Sequence, residues 1–454
     1  MRNKEIEILV NEKDLGFLEV LRMERPYGFK IVKEELKSNI EVYYQKRKVG
    51  EIFDTTKLKN HLKEIKIRKK YLKYFLPEKE PIYFGIEIID IFDNLFFLSK
   101  TKKIVYFLED SKIYLPFSLK DLLKNIEIKA KYFYFSLLKF PYEFVNKINK
   151  SALRRLVINL IINIFLKNKI PYYFLPYFPD NYSTVFLFRI DGDFATLKEV
   201  KKVFELLSKE NIKFTFFIDV KSSEKFLDFF REKSKEKFDI QLHSYYHYVY
   251  KEKDKNLDNL AVGKEKLKEA GIEIKGFAAP FGVWNYSLNE VLEELNFSYS
   301  SEFSFDYDDL PILPIIENRF SKVYQIPSHP ISVGCLKALN LSSKEMVKYY
   351  QEYILKTYEK GYPIVLYDHP QGILEFWEIF KEVFDFIKNF SNIKMMNFSE
   401  FFEWWQRREK MENYQEKKMD LPKIESKMKY IRRNEFYLKI KSLILSFHRF
   451  RKRR

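Results

Sequence analysis

The chain of 454 residues is 46% hydrophobic and 18% aromatic, too apolar for a disordered segment and long enough to bury more than one core. Its single cysteine, Cys335, excludes an internal disulfide framework and any zinc site built mainly from cysteines. The formal net charge of +17 is unevenly placed: no acid follows Glu435, and the chain ends Arg449-Phe450-Arg451-Lys452-Arg453-Arg454.

Taken in order, the first residues, Met-Arg-Asn-Lys-Glu-Ile-Glu, put acids where an export signal needs an apolar core, so none is expected. The most apolar run, Leu156 to Leu166, is interrupted by asparagines and falls short of the roughly 20 residues that span a bilayer. A cytoplasmic protein is the expectation. Glu87–Phe92, Leu95–Leu98 and Lys103–Leu108 predict a meander of strands with polar turns, and Lys120–Lys167 turns helical, most clearly over Ala152–Phe165. A proline-bearing stretch, Pro171–Asp180, then marks a boundary. No cluster with a recognisable chemistry precedes it.

From Ser183 strands and helices alternate. Val185–Ile190, Lys213–Val220, the run into His243, Ile274–Pro280, Ser298–Phe303, Val323–Ile326, Pro363–Tyr367 and Ile393–Phe398 read as strands. Helical patterns fall between most of them, at Leu197–Glu210, Glu224–Lys235, Leu260–Ala270, Leu288–Leu295, Lys344–Lys360 and Phe376–Phe390. Strands separated by helices predict a parallel sheet, and seven or eight such units close into a barrel. The expected class is therefore α/β. Chemistry in that architecture gathers at the C-terminal ends of strands, where Asp191, Asp193, His243, His247, His329 and His369 fall.

Two strand-end motifs stand out. Asp191-Gly192-Asp193 closes the first apolar run, and His243-Ser244-Tyr245-Tyr246-His247 closes Asp239–Leu242. Two imidazoles four residues apart can share a metal, and a carboxylate from another strand end completes a set with positions open for water and substrate. The other aspartate remains free to act as a base.

With these motifs in place, Ser183–Phe402 resembles the polysaccharide deacetylases, the NodB-homology carbohydrate esterases. Asp191-Gly192-Asp193 is similar to the variant first motif with one residue between the aspartates, and the His243/His247 pair is similar to the second. Phe277-Ala278-Ala279-Pro280-Phe281-Gly282 resembles the third, and Ile364–His369 resembles the last strand with the family's catalytic histidine. The resemblance implies a distorted (β/α)7 barrel; the first 180 residues lie outside it and read as an additional N-terminal α+β region. It implies one divalent metal, usually zinc (Zn2+), held by Asp193, His243 and His247. Asp191 is the implied base and His369 the natural general acid. The implied reaction is removal of acetyl from an N-acetylated sugar or polysaccharide precursor.

One residue departs from the pattern. The third motif opens with an arginine that orients the catalytic aspartate, and Ala278 stands there. Arg189 lies two residues before Asp191 and, by the period of a strand, on the same face, so it is positioned to supply the missing charge. Pro280 and Gly282 of the third motif, Trp284 just past it as a sugar-stacking ring, and His329 as a cleft residue complete the candidate substrate-binding set. Asp306, Asp308 and Asp309 fall where the family's fourth motif would lie, and Cys335 is read as buried and inert.

The expected organisation is thus residues 1–180 as an N-terminal region, 181–405 as the deacetylase-like barrel, and 406–454 as a basic, partly amphipathic tail. Phe436, Leu438, Ile440, Leu443, Ile444, Leu445 and Phe447 precede the terminal arginines at roughly helical spacing. Peripheral contact with an anionic membrane, on its inner face, is the partner expected of the tail; no reading motif for nucleic acid accompanies the charge. The competing readings are an amide hydrolase of the same fold acting on a small or cyclic amide, and a carbohydrate-binding protein without turnover.

Overall fold

Eight consecutive buried residues, Thr184–Asp191, form strand β1, as expected of a strand covered on both faces. The computed structural model describes residues 5–54, 56–57, 107–109, 112–115, 118–133 and 139–417. The strands that follow are β2 (Thr215–Ile218), β3 (Asp239–Leu242), β4 (Gly276–Ala278), β5 (Tyr299–Ser301), β6 (Tyr324–Gln325), β7 (Ile364–Asp368) and β8 (Ile393–Met396). They pair in the order β6-β5-β4-β3-β2-β1-β7, with β8 joined to residues 184–187 of β1. Every pair is parallel. The sheet curls as a half-barrel, the α/β fold class expected. Beyond β6 the His329 N–H donates to the Val365 carbonyl of β7 at 3.0 Å, so the chain reaches across toward the opposite edge.

Helices form where the apolar spacing changes from two to 3.6. Leu197–Lys209 begins with a capping box between Thr196 and Glu199 and buries Val200, Val203, Phe204 and Leu207. Phe204 meets Phe214 and Phe216 at ring-centroid distances of 5.0 and 5.6 Å, so the helix is fixed on β2 and its approach. Each fully buried side chain of this kind contributes about 1.5–3 kcal/mol.

The N-terminal part holds a six-stranded mixed sheet and the helices Leu15–Glu24 and Lys150–Lys167, the second containing the expected Ala152–Phe165 segment. Of the expected meander, Glu87–Phe92 and Leu95–Leu98 lie outside the described residues, while Phe107–Glu109 pairs with Lys112–Tyr114. The described residues fall in one compact unit. Buried Arg154 joins them: its guanidinium bonds Glu19 of the first helix, and Asp306 and Asp309 of the loop after β5. In the proline-bearing stretch Tyr172, Leu175, Phe178 and Pro179 are buried, and Arg408 donates to the carbonyls of Met23, Glu24, Leu175 and Pro176. Of the 406–454 tail, residues up to Lys417 are described; Gln415–Glu416 pairs with Tyr173–Phe174. The basic amphipathic segment lies outside the described residues. Among the described residues no helix is long and apolar enough to cross a membrane.

Candidate metal centre and active site

The ends of β1 and β3 bring three side chains together. Asp193 Oδ1 lies 3.0 Å from His243 Nε2, and Asp193 Oδ2 lies 2.9 Å from His247 Nε2. One ligand atom from each residue falls within 4.8 Å of the others. His243 Nδ1 sits 2.8 Å from the Ala278 carbonyl, which only accepts, so Nδ1 carries the proton and Nε2 presents a lone pair to Asp193. Asp193 Oδ1 and His247 Nε2 are buried and in hydrogen-bond geometry with nothing. A carboxylate oxygen and an imidazole nitrogen held about 3 Å apart need a proton or a cation between them, and with the proton gone the place is open to a metal ion. Two imidazoles and one carboxylate therefore fit a borderline divalent ion such as zinc. Burial acts to raise the Asp193 carboxyl, but His243, His247 and His369 outweigh it and hold it well below the ordinary range.

Asp191 lies beside this set, 3% exposed. Arg189, fully buried, donates through Nε and Nη2 to the two oxygens of Asp191, both at 2.6 Å. Its Nη1 donates to the Ser301 carbonyl at 2.6 Å, and the guanidinium lies near the rings of Phe217 and Tyr367. This bidentate fork aims Asp191 from its own strand, where Ala278 offers no charge. Behind it Glu302 is fully buried. Desolvation pushes its carboxyl up to about 8 despite Arg189 nearby, so it is largely neutral at pH 7.

His369 follows β7. Its Nε2 lies 3.4 Å from Asp193 Oδ2 and its Nδ1 3.9 Å from Asp368 Oδ1. Burial lowers its basicity, but Asp193, Asp368 and Asp191 win and raise it to about 9. Asp368 is pinned by the N–H groups of Val333 at 2.7 Å and of His369 itself at 2.9 Å.

Around the triad the backbone is unusual. Phe194, Ser244, His247 and Phe281 all have left-handed φ, between 49° and 68°. For bulky residues this is costly, and such strain concentrates at functional sites. Its effect here is to stand two phenylalanines at the mouth: Phe194 and Phe281 are 67% and 66% exposed, with ring centroids 4.9 and 5.1 Å from that of His247. Pro280 and Gly282 build the turn that carries Phe281. Gly282 has φ +59°, and a Cβ there would lie 2.2 Å from the Phe303 ring.

Other expected residues are placed elsewhere. Trp284 is 6% exposed, its ring against Phe305 at 4.3 Å, with no open face for a sugar. His329 is buried, bonded to Asp308 at 3.0 Å and Tyr349 at 3.0 Å and stacked on Tyr353. Asp306 and Asp309 belong to the Arg154 network. Burial pushes the half-buried Cys335 thiol up to about 11, so it stays neutral. Phe194, Phe281 and Asp219 were not singled out in the sequence. Asp219 had a usable signal, since it closes the apolar run of β2 as Asp191 closes that of β1.

Comparison with known proteins adds the following. No curated protein matches the chain. Among solved structures, a Mycobacterium smegmatis protein carrying the polysaccharide deacetylase description is 18% identical, with a TM-score of 0.45, over 54% of this chain and 97% of that one. PuuE allantoinase is 13% identical, with a TM-score of 0.42, over 51% of this chain and 93% of its own. A CE4 family pseudoenzyme from Bacillus anthracis is 13% identical, with a TM-score of 0.35, over 50% of this chain and 66% of its own. The family model for polysaccharide deacetylase matches residues 191–300, a stretch that contains Asp191, Asp193, His243 and His247 and bears out the resemblance read from the motifs.

Proposed function

We propose that the protein is a metal-dependent hydrolase that removes the acetyl group from an N-acetylated sugar. The observation that carries the reading is the convergence of Asp193, His243 and His247 beside a separate, arginine-held carboxylate, Asp191. A divalent ion held by the triad would act as a Lewis acid toward water and the amide carbonyl. Asp191 takes the proton of the attacking water, and the Arg189 fork keeps its oxygens fixed while it does so. His369, whose Nε2 lies 3.4 Å from Asp193 Oδ2, gives a proton to the departing amine, which leaves poorly without one. Phe194 and Phe281 flank the mouth and offer apolar faces to a pyranose ring. The products are acetate and a free amino sugar.

The test is acetate release from chitooligosaccharides and lipid-linked amino sugars, with divalent metal added and then chelated. Metal-dependent release is the expected result. A purified protein that holds no divalent ion and gains no activity with zinc, cobalt or manganese defeats the reading. Release from a small cyclic amide alone would transfer it to a different amide substrate.

A further inference from the structure

Asp219 lies in the row of metal-facing strand ends without belonging to the triad. Asp191 of β1 pairs with Phe217 of β2, and Ile218 of β2 pairs with Leu242 of β3. Continued past the strand ends, this register sets Asp193, Asp219 and His243 side by side. Backbone bonds hold it there: Gly192 N–H to the Phe217 carbonyl at 2.9 Å, His243 N–H to Ile218 at 2.7 Å, and Val220 N–H to Ser244 at 3.1 Å.

The Asp219 side chain is 1% exposed, and neither of its carboxylate oxygens is in hydrogen-bond geometry with any group. It precedes the short helix Val220–Ser223 yet does not cap it. Burial pushes its carboxyl up, and the groups that pull the other way are the Ser222 hydroxyl, the imidazoles of His243 and His247, and the Phe194 N–H. Lysine or arginine is not among them. A buried carboxylate left this way is costly unless a cation offsets it, and the imidazoles that bear on its charge are the two of the candidate metal triad.

We propose that Asp219 is a positioning carboxylate of the metal centre, whose charge is balanced by the divalent ion and which raises the affinity of Asp193, His243 and His247 for it. The proposal rests on the metal reading of the triad. Its logic is neutrality: the ion's two positive charges meet Asp193 and Asp219, while Arg189 and Asp191 already cancel. A second carboxylate close to the imidazole ligands also strengthens electron donation from their ring nitrogens to a cation, as groups behind metal-bound histidines do.

The experiment uses the full chain as wild type, Asp219→Asn, Asp219→Ala and Asp193→Asn, titrated with Zn2+ and Co2+ by calorimetry and chelator competition. Melting is followed with and without metal. Asp219→Asn keeps shape and should bind ten- to a hundredfold more weakly, with the Co2+ absorption bands unmoved because the ligands are unchanged. Its metal-free form should melt at or above the wild type, since an uncompensated buried charge is gone. A merely structural aspartate would do the reverse, lowering metal-free melting and leaving affinity alone. Less than a tenfold loss of affinity in Asp219→Asn, or a destabilised metal-free form, overturns the proposal. Wild type that takes up neither ion removes the metal reading itself; normal uptake by both wild type and Asp219→Asn removes only the role of Asp219.

Discussion

At Asp191 two opposite charges are buried with both ends of the fork satisfied, and that pairing governs what substitutions do. Asp191→Asn should lower turnover at least a hundredfold while metal content stays near wild type, because the triad does not include it. Arg189→Ala should also cut turnover and cost about 3–5 kcal/mol of stability, since it strands a buried carboxylate. Metal analysis beside steady-state kinetics and denaturation checks both; loss of metal in either variant would reverse the assignment of base and ligand. Phe194→Ala and Phe281→Ala should raise KM several-fold on an oligosaccharide and leave kcat almost unchanged if the rings serve binding, and a fall in kcat alone would refute that. Arg189 was legible because strand period two is a local rule. Trp284 was not, because its burial is decided by Phe305, which the chain brings back from 21 residues away.

Among elements, the β/α series from Ser183 was legible nearly strand by strand, since apolar runs of four to eight residues and amphipathic helices differ in period. Ends moved by a few residues. The helix expected at Leu260–Ala270 begins at Lys253, because its first turns expose charge and bury only Asn256 and Asn259 before the apolar face starts. What local pattern could not show is the use of Asp306 and Asp309, which matched an expected motif position but are held by Arg154 from a helix about 150 residues earlier. That helix–loop connection makes a distinct prediction. Arg154→Ala should destabilise by about 3–5 kcal/mol through three unpaired carboxylates, whereas Arg154→Met combined with Glu19→Gln, Asp306→Asn and Asp309→Asn should recover much of the loss. Urea denaturation of the two variants separates lost charge pairing from lost packing; equal losses would mean packing alone.

Over the whole molecule, burial has raised several acids rather than lowered them. Asp14 and Asp368 are pushed up to about 6, Asp309 to about 7 and Glu302 to about 8, with desolvation the leading cause in each. The unfolded chain releases these protons near pH 4 to 4.5, while the folded chain keeps them until the raised values are reached. Through that window the native state binds more protons, so its stability falls as pH rises and is greatest from these groups below about pH 4. The upper part of the decline belongs chiefly to Glu302, whose nearest cation, Arg189, is already committed to Asp191. Glu302→Gln removes the titration while keeping the side chain's size. Chemical denaturation at about pH 5, 6.5 and 8 should show wild type losing stability across the series and Glu302→Gln losing distinctly less between 6.5 and 8. Parallel curves for the two proteins would mean that Glu302 is ionised in the native state at pH 6.5, with Arg189 shared between two carboxylates instead of reserved for Asp191.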